Sequence, residues 1–180
     1  ATLKYPAADL DDTIYHPERQ LDTHIIEELS KCEWIEQGKN LVITGKTSSG
    51  KSYLANALCI CALRQFKTAR YIKAADKRLS KAEKLDNYQE ELSIYAGYDL
   101  LVVDDFGLMS MDVNKCRNLF EVFDSRDPHK SILMISQFPV SSWYDMFQDH
   151  TYAEACLARL LSGAYRLEMN GKNMRNMEPI

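Results

Sequence analysis

The sequence predicts an α/β domain with a mostly parallel β-sheet between layers of helices. Short apolar segments alternate with helical patterns along the chain, which is the order of a parallel sheet with helical crossovers. Three of the predicted strands also run directly into glycine, carboxylate or amide residues. Sheets of this kind bind ligands at the carboxyl ends of their strands, so these residues are expected to meet at one edge.

Size and composition fit one soluble domain. Of 180 residues, 46% are hydrophobic and 27% charged, as in ordinary globular chains. No apolar run reaches the roughly 20 residues of a membrane span, so we expect a cytoplasmic protein without membrane contact. The net charge of −4 argues against a surface coated in positive charge for nucleic acid. Five cysteines without a C-x-x-C pair favour free thiols over disulfides or zinc.

The N-terminal region is predicted to be an arm followed by a helix. Residues 1–17 are irregular, and we expect a further segment before them because the chain opens on Ala rather than Met. Residues 18–37 carry apolar side chains at helical spacing, so one helix is predicted there, with Gly38 as its C-cap.

The segment Gly45–Ser52 matches the phosphate-binding loop G-x-x-x-x-G-K-[ST]. It follows a predicted buried strand at Leu41–Thr44 and opens a helix predicted from Lys51 to about Phe66. Glycines let backbone amides converge on a polyphosphate, and the helix points its positive end at the same anion. Lys51 is expected to contact the β- and γ-phosphates of a bound polyphosphate, and Ser52 to bind Mg²⁺. The candidate nucleotide-binding residues in this segment are Gly45, Lys46, Thr47, Ser48, Ser49, Gly50, Lys51, Ser52 and Tyr53.

The third predicted strand ends in two carboxylates. A second strand at Ala69–Ala74 and a helix from Asp76 to about Leu92 precede it. Leu100–Val103 is uniformly apolar, as in a strand buried on both faces, and runs into Asp104 and Asp105. Asp104 is expected to hold Mg²⁺ directly or through a water. Asp105 is expected to orient or deprotonate the attacking water; the alternative for both acids is a solvated strand end.

The remaining elements follow the same alternation. A helix at Val113–Phe123, a strand at Ser131–Gln137, helices at Trp143–Phe147 and Ala153–Leu161, and an alternating strand at Tyr165–Met169 are predicted.

Three polar residues in this part of the chain are candidates for the site. Gln137, with Ser136 before it, can hydrogen-bond a γ-phosphate or a water; the alternative is a strand-end turn. Arg159 lies on a helix, and its alternative is a surface ion pair. Arg175 lies in a polar tail, and its alternative is disorder.

A basic segment between residues 64 and 84 is a candidate DNA-binding surface. We expect its DNA contacts at Lys73, Lys77, Arg78 and Lys81, with Tyr71 among them. A solvated helix face is the alternative. The basic residues of the segment are Arg64, Lys67, Arg70, Lys73, Lys77, Arg78, Lys81 and Lys84.

Over about residues 8–178 the sequence resembles the IstB/DnaC group of AAA+ ATPases, which are transposition helpers and helicase loaders. The segments that carry the resemblance are Asn40–Ser52 with Tyr53-Leu54-Ala55, Leu100–Leu108, Ile135–Trp143, Thr151–Leu160 and Gly171–Arg175. The runs Gly50–Ala55 and Ser136–Trp143 are more similar to IstB than to DnaC.

The resemblance implies a five-stranded P-loop sheet in the order 5-1-4-3-2 and one AAA+ domain over residues 18–180. It implies that ATP binds between subunits of a homo-oligomer on DNA, with a transposase or a replicative helicase as partner. Gln137 then matches the first sensor, Arg159 the arginine finger that reaches a neighbour's nucleotide, and Arg175 a second sensor. The partner-binding N-terminal region of the family is expected to lie outside residues 1–180.

Departures from the family pattern bear on subunit contacts and turnover more than on ATP binding. Ala158 replaces the usual Asp before the finger, and Ser125 precedes Arg126 where the family usually has Asp. Asp105 is shorter than the Glu of many such ATPases, so slow, assembly-dependent hydrolysis is expected. A helicase loader, a small-molecule kinase and a nucleotide-gated module that hardly turns over remain alternatives to the IstB-type ATPase.

Overall fold

The computed structural model describes residues 3, 5, 7–10, 23–74, 76, 78–126 and 128–169. Its centre is a five-stranded sheet in which every paired strand is parallel. The strands are β1 (Leu41–Thr44), β2 (Ala69–Lys73), β3 (Leu100–Phe106), β4 (Ser131–Ser136) and β5 (Tyr165–Glu168). They lie in the order β2-β3-β4-β1-β5, so the predicted fold class and strand order are confirmed.

Helices connect the strands and cover both faces of the sheet. They are α1 (Thr23–Ser30), α2 (Glu33–Glu36), α3 (Lys51–Arg64), α4 (Arg78–Lys84), α5 (Tyr88–Gly97), α6 (Val113–Ser125) and α7 (His150–Leu161). No helix in the described part of the chain is long and apolar enough to cross a membrane.

The core consists of two layers separated by the sheet, because side chains alternate along each strand. Leu100 and Val102 of β3 pack with the apolar residues of α1, α2 and α3. Leu101 and Val103 pack with those of α4, α5, α6 and α7. The central strands are buried on both faces, which explains why their sequences are uniformly apolar.

The single helix predicted over residues 18–37 is wrong where the structure describes it, from residue 23 onward. α1 ends at Ser30, α2 begins at Glu33, and Cys32 between them has a left-handed φ of 60°. Cys32 is nevertheless buried. The helical spacing of apolar residues therefore continues across the interruption between α1 and α2. This spacing indicates which residues are buried, and it does not indicate which backbone hydrogen bonds form.

Gly38 follows α2 as predicted. Its amide donates to the Ile35 carbonyl at 3.1 Å, and the Lys39 amide donates to the Trp34 carbonyl at 2.9 Å. This is the hydrogen-bond pattern of a Schellman motif, which needs a residue with positive φ, and Gly38 has a φ of 65°.

Two further helix predictions are corrected. The stretch from Asp76 to about Leu92 is interrupted between α4 and α5, where Asp86 has a φ of 59° and Asn87 occupies the N-cap position of α5. Asp and Asn favour such turns. The helix predicted at Trp143–Phe147 is instead a pair of 3₁₀ turns at Val140–Ser142 and Tyr144–Met146. Trp143 lies between the turns and is fully buried.

Candidate active site

The phosphate-binding loop lies between β1 and α3, at the carboxyl edge of the sheet. Gly50, with a φ of 89°, immediately precedes α3. Because glycine has no side chain to cap the helix, the first amides of α3 remain available for an anion. The loop also takes a left-handed conformation at Ser48, which has a φ of 64°.

The Lys51 ammonium group is buried within this loop. It donates to the backbone oxygens of Gly45 at 2.6 Å and of Lys46 at 2.7 Å. Burial lowers the pKa of Lys51, while Asp104 and Asp105 act in the opposite direction. The Lys51 ammonium group is therefore held inside the loop by backbone carbonyls.

Ser52 and Asp104 meet beside the loop. The Ser52 hydroxyl donates to Asp104 Oδ2 at 3.0 Å. The Tyr71 hydroxyl donates to the same oxygen, and the Asp105 amide donates to Asp104 Oδ1 at 2.7 Å. Burial, followed by the hydrogen bond to Asp104, raises the pKa of Tyr71 well above its ordinary value, so Tyr71 acts as a donor.

A β-bulge in β3 places the two acids. Val103 pairs with Met134 and Phe106 pairs with Ser136, so Asp104 and Asp105 together oppose one residue of β4. Asp105 has a φ of 59°, a conformation that Asp tolerates better than most residues. Bulges of this kind redirect side chains next to active sites. Asp104 is thereby buried, while Asp105 is half-buried and pairs with Lys73 at 3.1 Å.

Gln137 joins the end of β4 to the phosphate-binding loop. Its Oε1 accepts a hydrogen bond from the Thr47 hydroxyl at 2.8 Å. Ser136 does not share this position, because its hydroxyl donates to the Phe106 carbonyl at 2.7 Å and accepts from the Phe138 amide. Of the two residues that were candidates for a γ-phosphate contact, the structure therefore brings only Gln137 to the loop.

Arg159 lies at the opposite edge of the sheet. Its guanidinium pairs with Asp124 at 3.3 Å and donates to the Arg126 carbonyl at 2.5 Å. The buried Arg126 side chain in turn donates to the Tyr95 carbonyl in α5, to the Tyr98 carbonyl just before β3, and to the Ser131 carbonyl at the start of β4 at 2.9 Å. The structure therefore does not bring Arg159 to the loop of its own subunit. Arg175 lies outside the described residues.

Tyr53 contacts the N-terminal residues instead of the loop. Its ring lies 5.9 Å from that of Tyr5, and its hydroxyl accepts a hydrogen bond from the Asp9 amide at 3.3 Å. The described part of the predicted arm thus packs on the first turn of α3.

Several basic side chains of the segment are paired with acids. Arg64 pairs with Asp9, Lys67 pairs with Glu36, and Lys73 pairs with Asp105. The Tyr71 hydroxyl bonds Asp104. The remaining DNA candidates on α4 are Arg78, which lies 3.9 Å from Asp76, and the exposed Lys81. Lys77 lies outside the described residues.

Sequence reasoning missed two polar contacts. Tyr71 reaches Asp104 from the neighbouring strand, and Asn40 ties β1 to α7 and β4 with bonds to Leu160 and Ile132. A polar residue directly before an apolar strand was a signal for Asn40. No comparable signal exists for Tyr71, because its contact depends on the lateral register of β2 and β3.

The donor set fits a magnesium ion bound together with a nucleotide. Mg²⁺ prefers oxygen ligands and is usually held by one or two carboxylates plus phosphates and waters. The Ser52 hydroxyl and the Asp104 carboxylate provide such oxygens. Within the described residues, no group of three or more His, Cys, Asp or Glu side chains could hold a metal alone, so phosphate oxygens would complete the ligand set.

Comparison with curated proteins points to insertion sequences. The chain is 36% identical over 179 residues to the insertion sequence ATP-binding protein y4uH of Sinorhizobium fredii, covering 98% of this chain and 72% of that protein. It is 35% identical over 144 residues to the corresponding protein of IS1162 from Pseudomonas fluorescens, covering 79% of this chain and 62% of that one.

Comparison with solved structures confirms an AAA+ fold. The DnaC helicase loader aligns with a TM-score of 0.75 at 17% identity, covering 93% of this chain and 99% of that one. The replication initiator DnaA bound to AMPPCP and single-stranded DNA also gives 0.75 at 20% identity, covering 91% of this chain and 50% of that one.

The family assignment rests on nearly the whole chain. A family model described as IstB-like ATP binding protein matches residues 1–179. With the phosphate-binding loop, the two acids of β3 and the strand order in place, the chain belongs to the IstB-like ATP-binding protein family.

Proposed function

We propose that this chain binds ATP with Mg²⁺ at the carboxyl edge of its sheet, hydrolyses it slowly, and assists DNA transposition as a nucleotide-dependent oligomer on DNA. The observation that carries the proposal is the contact of Ser52 with Asp104 beside the loop that holds Lys51. Two relatives are named as ATP-binding proteins of insertion sequences, which supports a role in DNA transposition.

Each site residue has a proposed role. Lys51 neutralises the β- and γ-phosphates, and Ser52 and Asp104 hold Mg²⁺. Asp105 orients the attacking water, and Gln137 contacts the γ-phosphate or that water. Arg159 serves the nucleotide of a neighbouring subunit. The second-sensor role of Arg175 stays a prediction, since the residue lies outside the described part of the chain.

The domain organisation is part of the proposal. Residues 18–180 are proposed to form the AAA+ unit, and residues 1–17 an arm that packs on it through contacts such as Asp9 with Arg64. Contacts with a transposase are proposed to come from a region outside this sequence, since y4uH extends beyond the matched part.

ATP binding and hydrolysis are tested with Lys51→Ala. The variant should lose Mg-ATP binding and phosphate release, because it removes the charge held inside the loop. Lys39→Ala, an exposed lysine before β1, is the matched control. Tight Mg-ATP binding and normal hydrolysis by Lys51→Ala would overturn the proposal. Transfer of phosphate to a small-molecule acceptor instead of water would indicate a kinase.

DNA binding is tested by reversing charges on α4. The double variant Arg78→Glu and Lys81→Glu should weaken DNA binding and flatten its dependence on salt, because fewer counterions are released. Lys73 is left intact, since its ion pair with Asp105 would mix a DNA effect with a catalytic one. Lys31→Glu with Lys39→Glu carries the same charge change elsewhere. Equal effects of the two double variants would show that net charge, and not α4, governs binding.

A helicase loader is the second candidate. The likeness to DnaC shows a shared fold at 17% identity, and the curated relatives favour insertion sequences. Co-purification with a transposase, and not with a replicative helicase, is the expected result.

A further inference from the structure

The carboxylate of Asp104 is fixed by three hydrogen-bond donors. Oδ2 accepts from the hydroxyls of Ser52 and Tyr71, and Oδ1 accepts from the amide of Asp105. Asp104 is 2% exposed, so water has little access to replace any of them. Rotation of the carboxylate would leave a buried oxygen unsatisfied, which is unfavourable.

Tyr71 differs from the other two donors in its origin. Ser52 belongs to the phosphate-binding segment, and the Asp105 amide belongs to the same bulge as Asp104. Tyr71 lies on β2, where it pairs with Val102 of β3, and its ring packs against the core layer beneath α3. Its hydroxyl therefore holds Asp104 from the neighbouring strand β2, which carries none of the other nucleotide-binding residues.

Ser52 cannot do this alone, because its oxygen is itself assigned to the metal. A hydroxyl that offers its oxygen to a cation is constrained in where its hydrogen points. The Tyr71 hydroxyl has no proposed role as a metal ligand, so its hydrogen can point at Asp104. Donors behind a metal-binding carboxylate set its orientation, and their loss typically reduces metal affinity or activity by about 10–100-fold.

We propose that Tyr71 is a positioning residue that orients the Asp104 carboxylate toward Mg²⁺. The inference rests on the proposed function, since it takes Asp104 as a magnesium ligand. It assigns to β2 a part in metal binding in addition to its place in the sheet.

The test compares wild type with Tyr71→Phe, which removes the hydroxyl and keeps the ring. Binding of a fluorescent ADP analogue is followed by anisotropy, first in EDTA and then across a MgCl₂ titration. In EDTA the two proteins should bind the analogue equally well. The Mg²⁺ concentration that gives half of the metal-dependent increase in binding should rise about tenfold in Tyr71→Phe.

Two further variants make the outcome specific. Tyr88→Phe removes a hydroxyl that bonds Asn118 at 3.0 Å, on the other layer of the core, and should leave the Mg²⁺ dependence unchanged. Asp104→Asn should abolish it. An unchanged or lower Mg²⁺ requirement in Tyr71→Phe, with Asp104→Asn behaving as expected, overturns the role of Tyr71 alone. If Asp104→Asn retains the Mg²⁺ dependence, the metal assignment is itself wrong and the Tyr71 proposal falls with it.

Discussion

Asp105 combines a backbone role with a proposed chemical one. It occupies the left-handed position of the bulge in β3, and its side chain forms an ion pair with Lys73 at 3.1 Å. Glu, the longer acid, tolerates a positive φ less well than Asp. The shorter acid is therefore consistent with the backbone that the bulge requires.

Asp105→Asn should separate the two roles. Asn also tolerates the left-handed conformation, and the partly exposed ion pair is worth about 1 kcal/mol or less, so the free energy of unfolding should change little. Phosphate release should fall by about 100-fold or more, because a positioned base contributes on that order. Lys73→Met breaks the same ion pair but keeps the carboxylate, and should retain turnover. Equal loss in both variants would assign the effect to the ion pair.

Gly45 has a structural function besides the one its motif suggests. Its φ is 147°, and a Cβ built at this position would lie 2.1 Å from the Met169 carbonyl oxygen. The Met169 amide also donates to the Thr44 carbonyl at 2.7 Å. The first glycine of the loop thus permits the close approach of the segment that follows β5.

Gly45→Ala should destabilise the fold by about 3 kcal/mol or more, because overpacking adds to backbone strain. Gly163→Ala is the matched control, with a φ of 64° and no atom within 4 Å of the added Cβ. That substitution should cost only the strain, about 1–2 kcal/mol. Chemical denaturation of both variants measures the difference. Equal costs would mean that Met169 moves aside without penalty.

At the scale of elements, Asn40 connects three of them. Its side-chain amide donates to the carbonyls of Arg159 and Leu160 near the end of α7, at 3.3 and 3.1 Å. Its side-chain oxygen accepts the amide of Ile132 in β4 at 2.8 Å. The last carbonyls of a helix lack partners within the helix, so Asn40 supplies them.

Asn40→Ala should lower the free energy of unfolding by about 2–3 kcal/mol, since it leaves buried backbone groups unsatisfied. Ser93→Ala removes an exposed hydroxyl that bonds the Gln89 carbonyl and should have almost no effect. ADP affinity should persist in Asn40→Ala, because Asn40 lies at the amino edge of the sheet. A cost below about 0.5 kcal/mol would show that water replaces Asn40.

Some of the helices and strands could be predicted from the sequence alone, and others could not. The central strands were predictable because burial on both faces leaves a uniformly apolar segment, as at Leu100–Val103. The breaks at Cys32 and Asp86 were not, because an apolar pattern continues across a turn whose residues stay packed. The contact of Tyr71 with Asp104 was also not predicted. Parallel strands are joined by long crossovers, so no hairpin turn indicates which residues lie side by side.

At the scale of the whole molecule, the sheet separates the two halves of the proposed catalytic machinery. The loop and Asp104 lie at the carboxyl ends of the strands. Arg159 is tied to Asp124 and to the Arg126 carbonyl, at the amino ends of β3 and β4. Strands of four to seven residues span about 13–23 Å, which places Arg159 beyond the reach of its own loop. If Arg159 acts on a nucleotide, that nucleotide belongs to another subunit.

This arrangement predicts complementation between two inactive variants. Lys51→Ala lacks a functional loop, and Arg159→Ala lacks the proposed finger, so each should be inactive alone. In an equimolar mixture, about a quarter of the interfaces would pair an intact loop with an intact finger, because head-to-tail contacts are formed by two different surfaces. Phosphate release is measured under conditions in which the protein assembles on DNA. In the mixture it should recover to about a quarter of the wild-type rate.

Asp124→Ala separates the finger from a surface ion pair. It breaks the contact with Arg159 but keeps the arginine, and the pair is partly exposed, so neither stability nor turnover should change much. Arg166→Ala, at an exposed position of β5, controls for the loss of one arginine. If the mixture stays inactive while the controls are active, Arg159 does not act across subunits. If Asp124→Ala loses as much turnover as Arg159→Ala, the ion pair itself is what turnover requires.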